Sequence, residues 1–268
     1  MSVHATAIVD PRAELDPDVE VGPHCVIDGD VRVAAGCRLY PGVYLTGHTE
    51  IAEGCALHPG VIVGHHPQDT KYGGEPVRCR VGERTILREH ATVHGGTGAK
   101  GTVIGADCFI LAGAHVAHDC VLGDFVTLIN NVLLAGHVHI DDRATLGGGA
   151  AVHQFVRVGE LAMIGGLARI TMDVPPFALI DGTGRVAGVN RIGMRRAEVP
   201  PAEIRAVREA YRTLYGCGLP FRAAVDRLAG EDPHSTAVAR LLRFVRAESR
   251  RGVVGRSRGD ADSSTSTE

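Results

Sequence analysis

The stretch IGADCFILAGAHVAHDCVLGDFVTL, residues 104–128, decides how the chain is built. Every sixth residue in it is aliphatic: Ile104, Ile110, Val116, Leu122 and Leu128. The step continues without a miss through Leu134, Ile140, Leu146, Val152, Val158 and Ile164 to Ile170. The N-terminal part keeps the same step from Val3 through Val9, Leu15, Val21, Ile27, Val33, Leu39, Leu45, Ile51 and Leu57 to Val63, and it returns at Val81, Leu87 and Val93. A period of six matches neither the helical repeat of about 3.6 nor the strand repeat of about 2. It matches a short strand followed by a turn, repeated many times. Three such units close a triangular coil of 18 residues, and stacked coils form parallel strands about 4.8 Å apart. The repeat-position aliphatics point into the prism.

The residue four places after each of these is small or β-branched. Five of the seven cysteines (Cys25, Cys37, Cys55, Cys108 and Cys120) fall there. They read as small buried hydrophobes, not as metal ligands or disulfide partners. Aromatics make up only 4% of the chain and tryptophan is absent, as a narrow aliphatic core requires. The net charge of −3 points to no nucleic acid and no membrane surface. No apolar run is long enough to span a bilayer and no secretory leader is visible at the N-terminus, so a cytoplasmic location is expected.

The sequence divides into a prism over residues 1–190, an α-helical subdomain over 191–252 and a disordered tail over 253–268. Two excursions, 64–80 and 95–102, lack the repeat and read as extruded loops. In PPAEIRAVREAYRTLYGCG, residues 200–218, proline opens a helical pattern and glycine follows it.

A core this thin has no room for a substrate, so chemistry must lie outside it. Phe125, Leu133 and Phe155 fall off the inward phase yet are apolar, which motivates a homotrimer with clefts between copies. His94, His115, His118, His137, His139 and His153 concentrate in 60 residues, whereas His4, His24, His48, His58 and His234 read as ordinary surface imidazoles. Residues 18 apart lie above one another, which sets Gly136 over His118 and aligns His115 with Leu133 and Ala151. Two chemistries suit such a cluster. Three imidazoles with an open position could hold zinc, as in carbonic anhydrases. A single imidazole oriented by Asp119 could act as a general base on a hydroxyl. Spacing alone leaves both open.

Six motifs occur in order: HPQDTKYGGEPV (66–77), AHVAHDC (114–120), LAGHV (134–138), AVHQF (151–155), DVPPF (173–177) and GVN (188–190). Together they resemble the acyl carrier protein–UDP-N-acetylglucosamine O-acyltransferases, hexapeptide-repeat enzymes that open lipid A synthesis. The resemblance implies a mainly β fold, a left-handed parallel β-helix with a C-terminal helical subdomain. It implies transfer of a 3-hydroxyacyl chain from acyl carrier protein to the sugar 3-hydroxyl, with neither cofactor nor metal. By the same resemblance His118 is the general base, Asp119 orients it, and the Gly136 N–H holds the oxyanion. Asp69, Lys71, His94, His115, His137, His153 and Gln154 line the cleft, and Asn190 and Arg196 meet the nucleotide. Gly166 gauges the acyl chain, and having no side chain it favours a long one. Two positions depart from the pattern: Gly95 stands where the family often has arginine, and Ile192 where an acidic residue is common. A different nucleotide sugar, or an anhydrase-like metal enzyme, is the alternative reading.

Overall fold

The structure, a computed structural model, describes residues 2–230 and 235–255. Strands of two to four residues follow one another around a three-sided prism. Each pairs in parallel with the strands one coil above and below, giving three sheets of 11, 9 and 8 strands. We number these faces by their opening strands: Ser2–Val3 starts the first, Ile8–Val9 the second and Glu14–Leu15 the third. The register is the expected 18 residues, with Val116 paired to Leu134, Leu134 to Val152 and Val152 to Ile170.

A corner that turns the chain within four residues needs one left-handed backbone position. The same place in successive corners is filled by Asp107, Gly113, Asp119, Phe125, Asn131, His137, Arg143 and Gly149, all with φ between 54° and 69°. Non-glycine residues there cost roughly 1–2 kcal/mol each. The stacked main-chain hydrogen bonds above and below impose the conformation.

Inside, the repeat positions are sealed: Leu39, Leu57, Leu87, Ile110, Leu128 and Leu146 are at most 1% exposed. Val3 is 40% exposed, because the first coil is an open end with nothing stacked beneath it. The cysteine slots are buried, and their thiols donate to corner carbonyls: Cys25 to Tyr40 O at 3.1 Å, Cys108 to Gly123 O at 3.2 Å and Cys120 to Ala135 O at 3.2 Å. Among the described residues all seven cysteines are free.

Two coils are longer than 18 residues. Ile62 pairs with Thr92 instead of Arg80, and Thr92 with His115 instead of Ile110. The inserted segments are 66–77 and 95–101. They are shorter than the sequence suggests, because strands Ile62–His65, Arg78–Val81 and Thr102–Ile104 extend into them.

The last coil is closed by Phe177, fully buried, and by the antiparallel strand Val186–Val189. Helices α1 (Arg191–Arg196), α2 (Pro201–Gly216), α3 (Phe221–Gly230) and α4 (Thr236–Arg246) follow. α2 turns Ile204, Val207, Tyr211 and Leu214 inward, and the Tyr211 hydroxyl donates to Pro176 O at 2.6 Å. Arg157 bonds the fully buried Asp173 at 2.7 Å, with its guanidinium over Phe244 of α4. Glu203 of α2 accepts from the Ala237 N–H at 2.7 Å, which ties the start of α4 to α2. Of the tail expected from residue 253, residues 256–268 lie outside the described residues. Residues 253–255 are not tail. The Val254 N–H donates to Asp173 O at 2.9 Å, the Val186 N–H to Gly255 O at 3.0 Å, and Val254 is buried. Apolar side chains and open main-chain partners on the prism hold this stretch in place.

Candidate active site

Both excursions leave the prism at one corner, between the second and third faces. His65 and His94 end second-face strands just before them, and Arg78 and Thr102 begin the third-face strands that follow. His118 and Asp119 form the same corner one coil above His94. Gly136 and His137 form it in the next coil, and Gln154 and Phe155 in the one after.

The excursions are fastened to each other and to this corner. Arg78 and Gly96 exchange main-chain bonds of 3.0 and 2.9 Å, and the Gly95 N–H donates to His65 O at 2.9 Å. The Gly98 N–H donates to Asp119 Oδ1 at 2.8 Å. Glycines make this closeness possible. A Cβ at Gly96 would sit 2.5 Å from Asp119 Oδ1, and one at Gly95 would sit 2.7 Å from Val77 Cβ. The arginine common at position 95 in the resembled family would not fit here without moving Val77.

Asp119 Oδ2 lies 2.9 Å from His118 Nδ1, and the Asp119 N–H donates to Thr102 Oγ1 at 2.9 Å. Burial opposes the charge on Asp119. Hydrogen bonds from His118 and the Gly98 N–H, with the nearby imidazoles, nevertheless hold its carboxyl below the usual value. An ionised carboxylate only accepts, so His118 Nδ1 carries the proton and Nε2 presents its lone pair. His118 is 8% exposed. Its ring lies so close over Gly136 that a Cβ there would be 2.6 Å from Nε2. The Gly136 N–H has no hydrogen-bond partner among the described residues. A proton acceptor and an open N–H donor therefore sit side by side.

The surrounding imidazoles are kept neutral. Burial pushes His94 down to about 4, helped by His115, His65 and His118. His94 Nδ1 is buried and unpartnered. Burial also lowers His115, whose Nδ1 lies 2.7 Å from Thr92 Oγ1, and His137. His137 stands edge-on to His118 at 5.1 Å and stacks on Phe155 at 4.8 Å. Asp69, on the first excursion, acts electrostatically on His137 and accepts the Lys71 N–H at 2.9 Å. His118, Asp119 and His137 form the metal-capable group among the described residues, with ligand atoms within 4.8 Å. It holds two imidazoles and a carboxylate, not the three imidazoles of the zinc reading, and Asp119 already binds His118 Nδ1. That geometry suits a positioned base.

Not every residue singled out from the sequence converges here. His153 and Gln154 do, one coil beyond His137. His139 lies on the third face, its Nε2 2.9 Å from Asp141. Gly166 lies at the corner between the first and second faces, where it stacks on Gly148. Asn190 lies toward the remaining corner. Its Nδ2 donates to Leu161 O at 2.8 Å and its Oδ1 caps α1 through the Gly193 N–H at 2.9 Å. Both ends of that amide are spent within the chain, so the structure gives Asn190 a capping role where nucleotide contact was expected. Arg196 is exposed at the end of the same helix.

Sequence reasoning missed the residues that return from the C-terminus. Arg250 lies over the Phe155 ring at 4.7 Å. Arg251 Nε donates to Gln154 O at 2.8 Å, and its guanidinium also donates to His153 Nδ1. The only signal was the basic doublet in SRRG, residues 249–252, just past the last helical pattern.

Comparison with known proteins agrees with this geometry. Residues 173–254 match the family model described as UDP N-acetylglucosamine O-acyltransferase, domain 2, and residues 101–136 match the bacterial transferase hexapeptide model. An acyl-[acyl-carrier-protein]–UDP-N-acetylglucosamine O-acyltransferase of Janthinobacterium is 42% identical over 91% of this chain and 94% of its own. One from Herminiimonas arsenicoxydans is 41% identical over 94% and 98%. The solved UDP-N-acetylglucosamine acyltransferase of Francisella novicida superposes with a TM-score of 0.92 at 31% identity, covering 96% of this chain and 95% of that one. The prism is thus the left-handed parallel β-helix of these enzymes.

Proposed function

Because the chain belongs to the acyl-[acyl-carrier-protein]–UDP-N-acetylglucosamine O-acyltransferase family, we propose that it moves a 3-hydroxyacyl group from acyl carrier protein to the 3-hydroxyl of UDP-N-acetylglucosamine, the first step of lipid A synthesis. The observation that carries the mechanism is the Asp119–His118 pair set against the open N–H of Gly136. His118 Nε2 takes the proton of the sugar hydroxyl as its oxygen attacks the thioester carbonyl. The carbonyl oxygen becomes the oxyanion of a tetrahedral intermediate and accepts from the Gly136 N–H. Collapse breaks the carbon–sulfur bond, and the departing thiolate takes the proton back from His118. No acyl-enzyme forms, because the base only activates the acceptor. Asp119 touches the reaction through the ring alone and is a positioning residue. Neutral His94, His115 and His137, with Asp69 and Lys71 on the excursion, supply polar contacts to the sugar without competing for its proton.

The working form we propose is a homotrimer in the cytoplasm. Gly166 and Arg196 sit at different corners from His118, so within one chain they cannot meet it, whereas neighbouring copies packed around a threefold axis bring corners together. Leu133 on the second face is 50% exposed, Phe109 on the first 36% and Leu167 at their shared corner 82%, as surfaces awaiting a copy would be. Buried free thiols suit a reducing compartment. Among the described residues no helix is long and apolar enough to cross a membrane. Light scattering should return three times the chain mass of 28.2 kDa; a monomer active at the same rate overturns the shared-site arrangement. Purified protein should acylate UDP-N-acetylglucosamine from a 3-hydroxyacyl carrier, and His118→Ala should lose about 10²–10⁴-fold in kcat while folding normally. Full activity in that variant overturns the base assignment.

A further inference from the structure

The C-terminal segment after α4 runs back over the site corner. It is fixed there by main-chain bonds between Asp173 and the 252–254 stretch and by Arg251 on Gln154 O. This brings Arg250 to a cleft of about 280 Å³ lined by His137, Phe155, Arg157, Glu248 and Arg250. Three cations are available here, and two are spent. Arg157 is paired with Asp173, and Arg251 is bonded to Gln154 and His153. Arg250 is exposed and has no ion-pair partner among the described residues.

Its placement relative to the base is stepwise. His118 meets His137 at 5.1 Å, His137 stacks on Phe155 at 4.8 Å, and Phe155 carries the Arg250 guanidinium at 4.7 Å. A sugar with its 3-hydroxyl at His118 and its ring beside His137 would carry its anomeric substituent along that row. The cleft imidazoles cannot neutralise an anion there, since burial keeps His137 uncharged near neutral pH. A planar guanidinium backed by an aromatic face loses little freedom when it forks onto a phosphate.

We propose that Arg250 is a positioning residue that holds the diphosphate of the sugar-nucleotide acceptor, so that the 3-hydroxyl is presented to His118. The proposal rests on the acyltransferase reading above. It makes the C-terminal segment part of the acceptor site, a role that neither the repeat nor the helical subdomain supplies. Phosphate is also present in the prosthetic arm of an acyl carrier, and the experiment separates the two.

Steady-state kinetics on the full chain should be compared for wild type, Arg250→Ala and Arg250→Lys. Calorimetric binding of UDP and of uridine should be measured alongside. The expected result for Arg250→Ala is a rise of about tenfold in KM for UDP-N-acetylglucosamine, with kcat and the KM for the acyl carrier little changed. UDP should bind about tenfold more weakly while uridine binding stays the same, and Arg250→Lys should recover part of the loss. An unchanged acceptor KM overturns the proposal. So does a rise in the KM for the carrier instead, or equal weakening of UDP and uridine. If wild type transfers no acyl group at all, the acyltransferase reading fails; UDP binding that still depends on Arg250 would stand apart from it.

Discussion

The corner that carries His118 and the corner between the third and first faces are built on the same backbone. Asp119 and His137 on one, and Phe125 and Arg143 on the other, all have φ between 57° and 59°. Each corner stacks a ring against a neighbour one coil away: His137 on Phe155, and Arg143 over Phe125 at 4.2 Å. What differs is cover. Both excursions spring from the first corner and bury His118 to 8% exposure, while Phe125 on the bare corner is 44% exposed. The turn supplies a repeated mounting, and the inserted loops turn one copy of it into a site. Desolvation and the bond from Gly98 to Asp119 exist only where the second loop lands.

The sharpest way to break that comparison uses equivalent turn positions. Asp124 on the bare corner occupies the place that His118 has on the loaded one, and its carboxylate accepts the Ala106 N–H at 2.8 Å. His118→Ala should cost about 10²–10⁴ in turnover with folding intact. Asp124→Ala should cost about 1 kcal/mol of stability and little activity. Equal activity losses in the two would mean that the loops do not define the site.

Glycine gives the next largest contrast. Gly136 and Gly148 hold the same place in their turns, but a Cβ at 136 meets His118 Nε2 at 2.6 Å, whereas one at 148 meets nothing nearer than Asn130 O at 3.4 Å. Gly136→Ala should therefore push the base aside and lower kcat by about 10²–10³. Gly148→Ala should stay within about tenfold of wild type. The crystal structure of Gly136→Ala should show a rotated His118 ring; an unmoved ring with normal kcat would refute the close-packing argument.

The fold was legible because its signal is linear. A six-residue period in aliphatics has one geometric solution, and Val116, Leu134, Val152 and Ile170 sit where stepping by 18 places them. The near stack of His118 and Gly136 followed from the same count. The excursions were visible as gaps, but not their attachment to one corner, since that depends on which turn each interrupts. Arg250 and Arg251 lay beyond the periodic region, so no count could bring them to Phe155 and Gln154. The motif likeness assigned Asn190 by position and could not reveal that its amide is consumed by Leu161 O and the Gly193 N–H. Periodic contacts can be read along a chain, whereas contacts made by a returning terminus or a helix cap require the folded backbone.

The smallest expected effect concerns pH. His94, His115 and His137 on the loaded corner all have lowered affinity for protons, His94 down to about 4. In the unfolded chain these imidazoles titrate near 6.5. Between those values the unfolded state binds more protons than the folded one, so stability falls as pH drops through this window. For His94 alone the loss between pH 7 and pH 5 is about 2 kcal/mol, enough to lower the melting midpoint by several degrees. His94→Leu does not titrate and replaces an unpartnered buried Nδ1 with carbon, so its midpoint should fall less over the same interval. Phe125→Leu, on the bare corner, should keep the full wild-type slope. If thermal melts at pH 7 and pH 5 gave identical slopes for His94→Leu and wild type, the loops would not be desolvating that imidazole, and the contrast between the two corners would rest on shape alone.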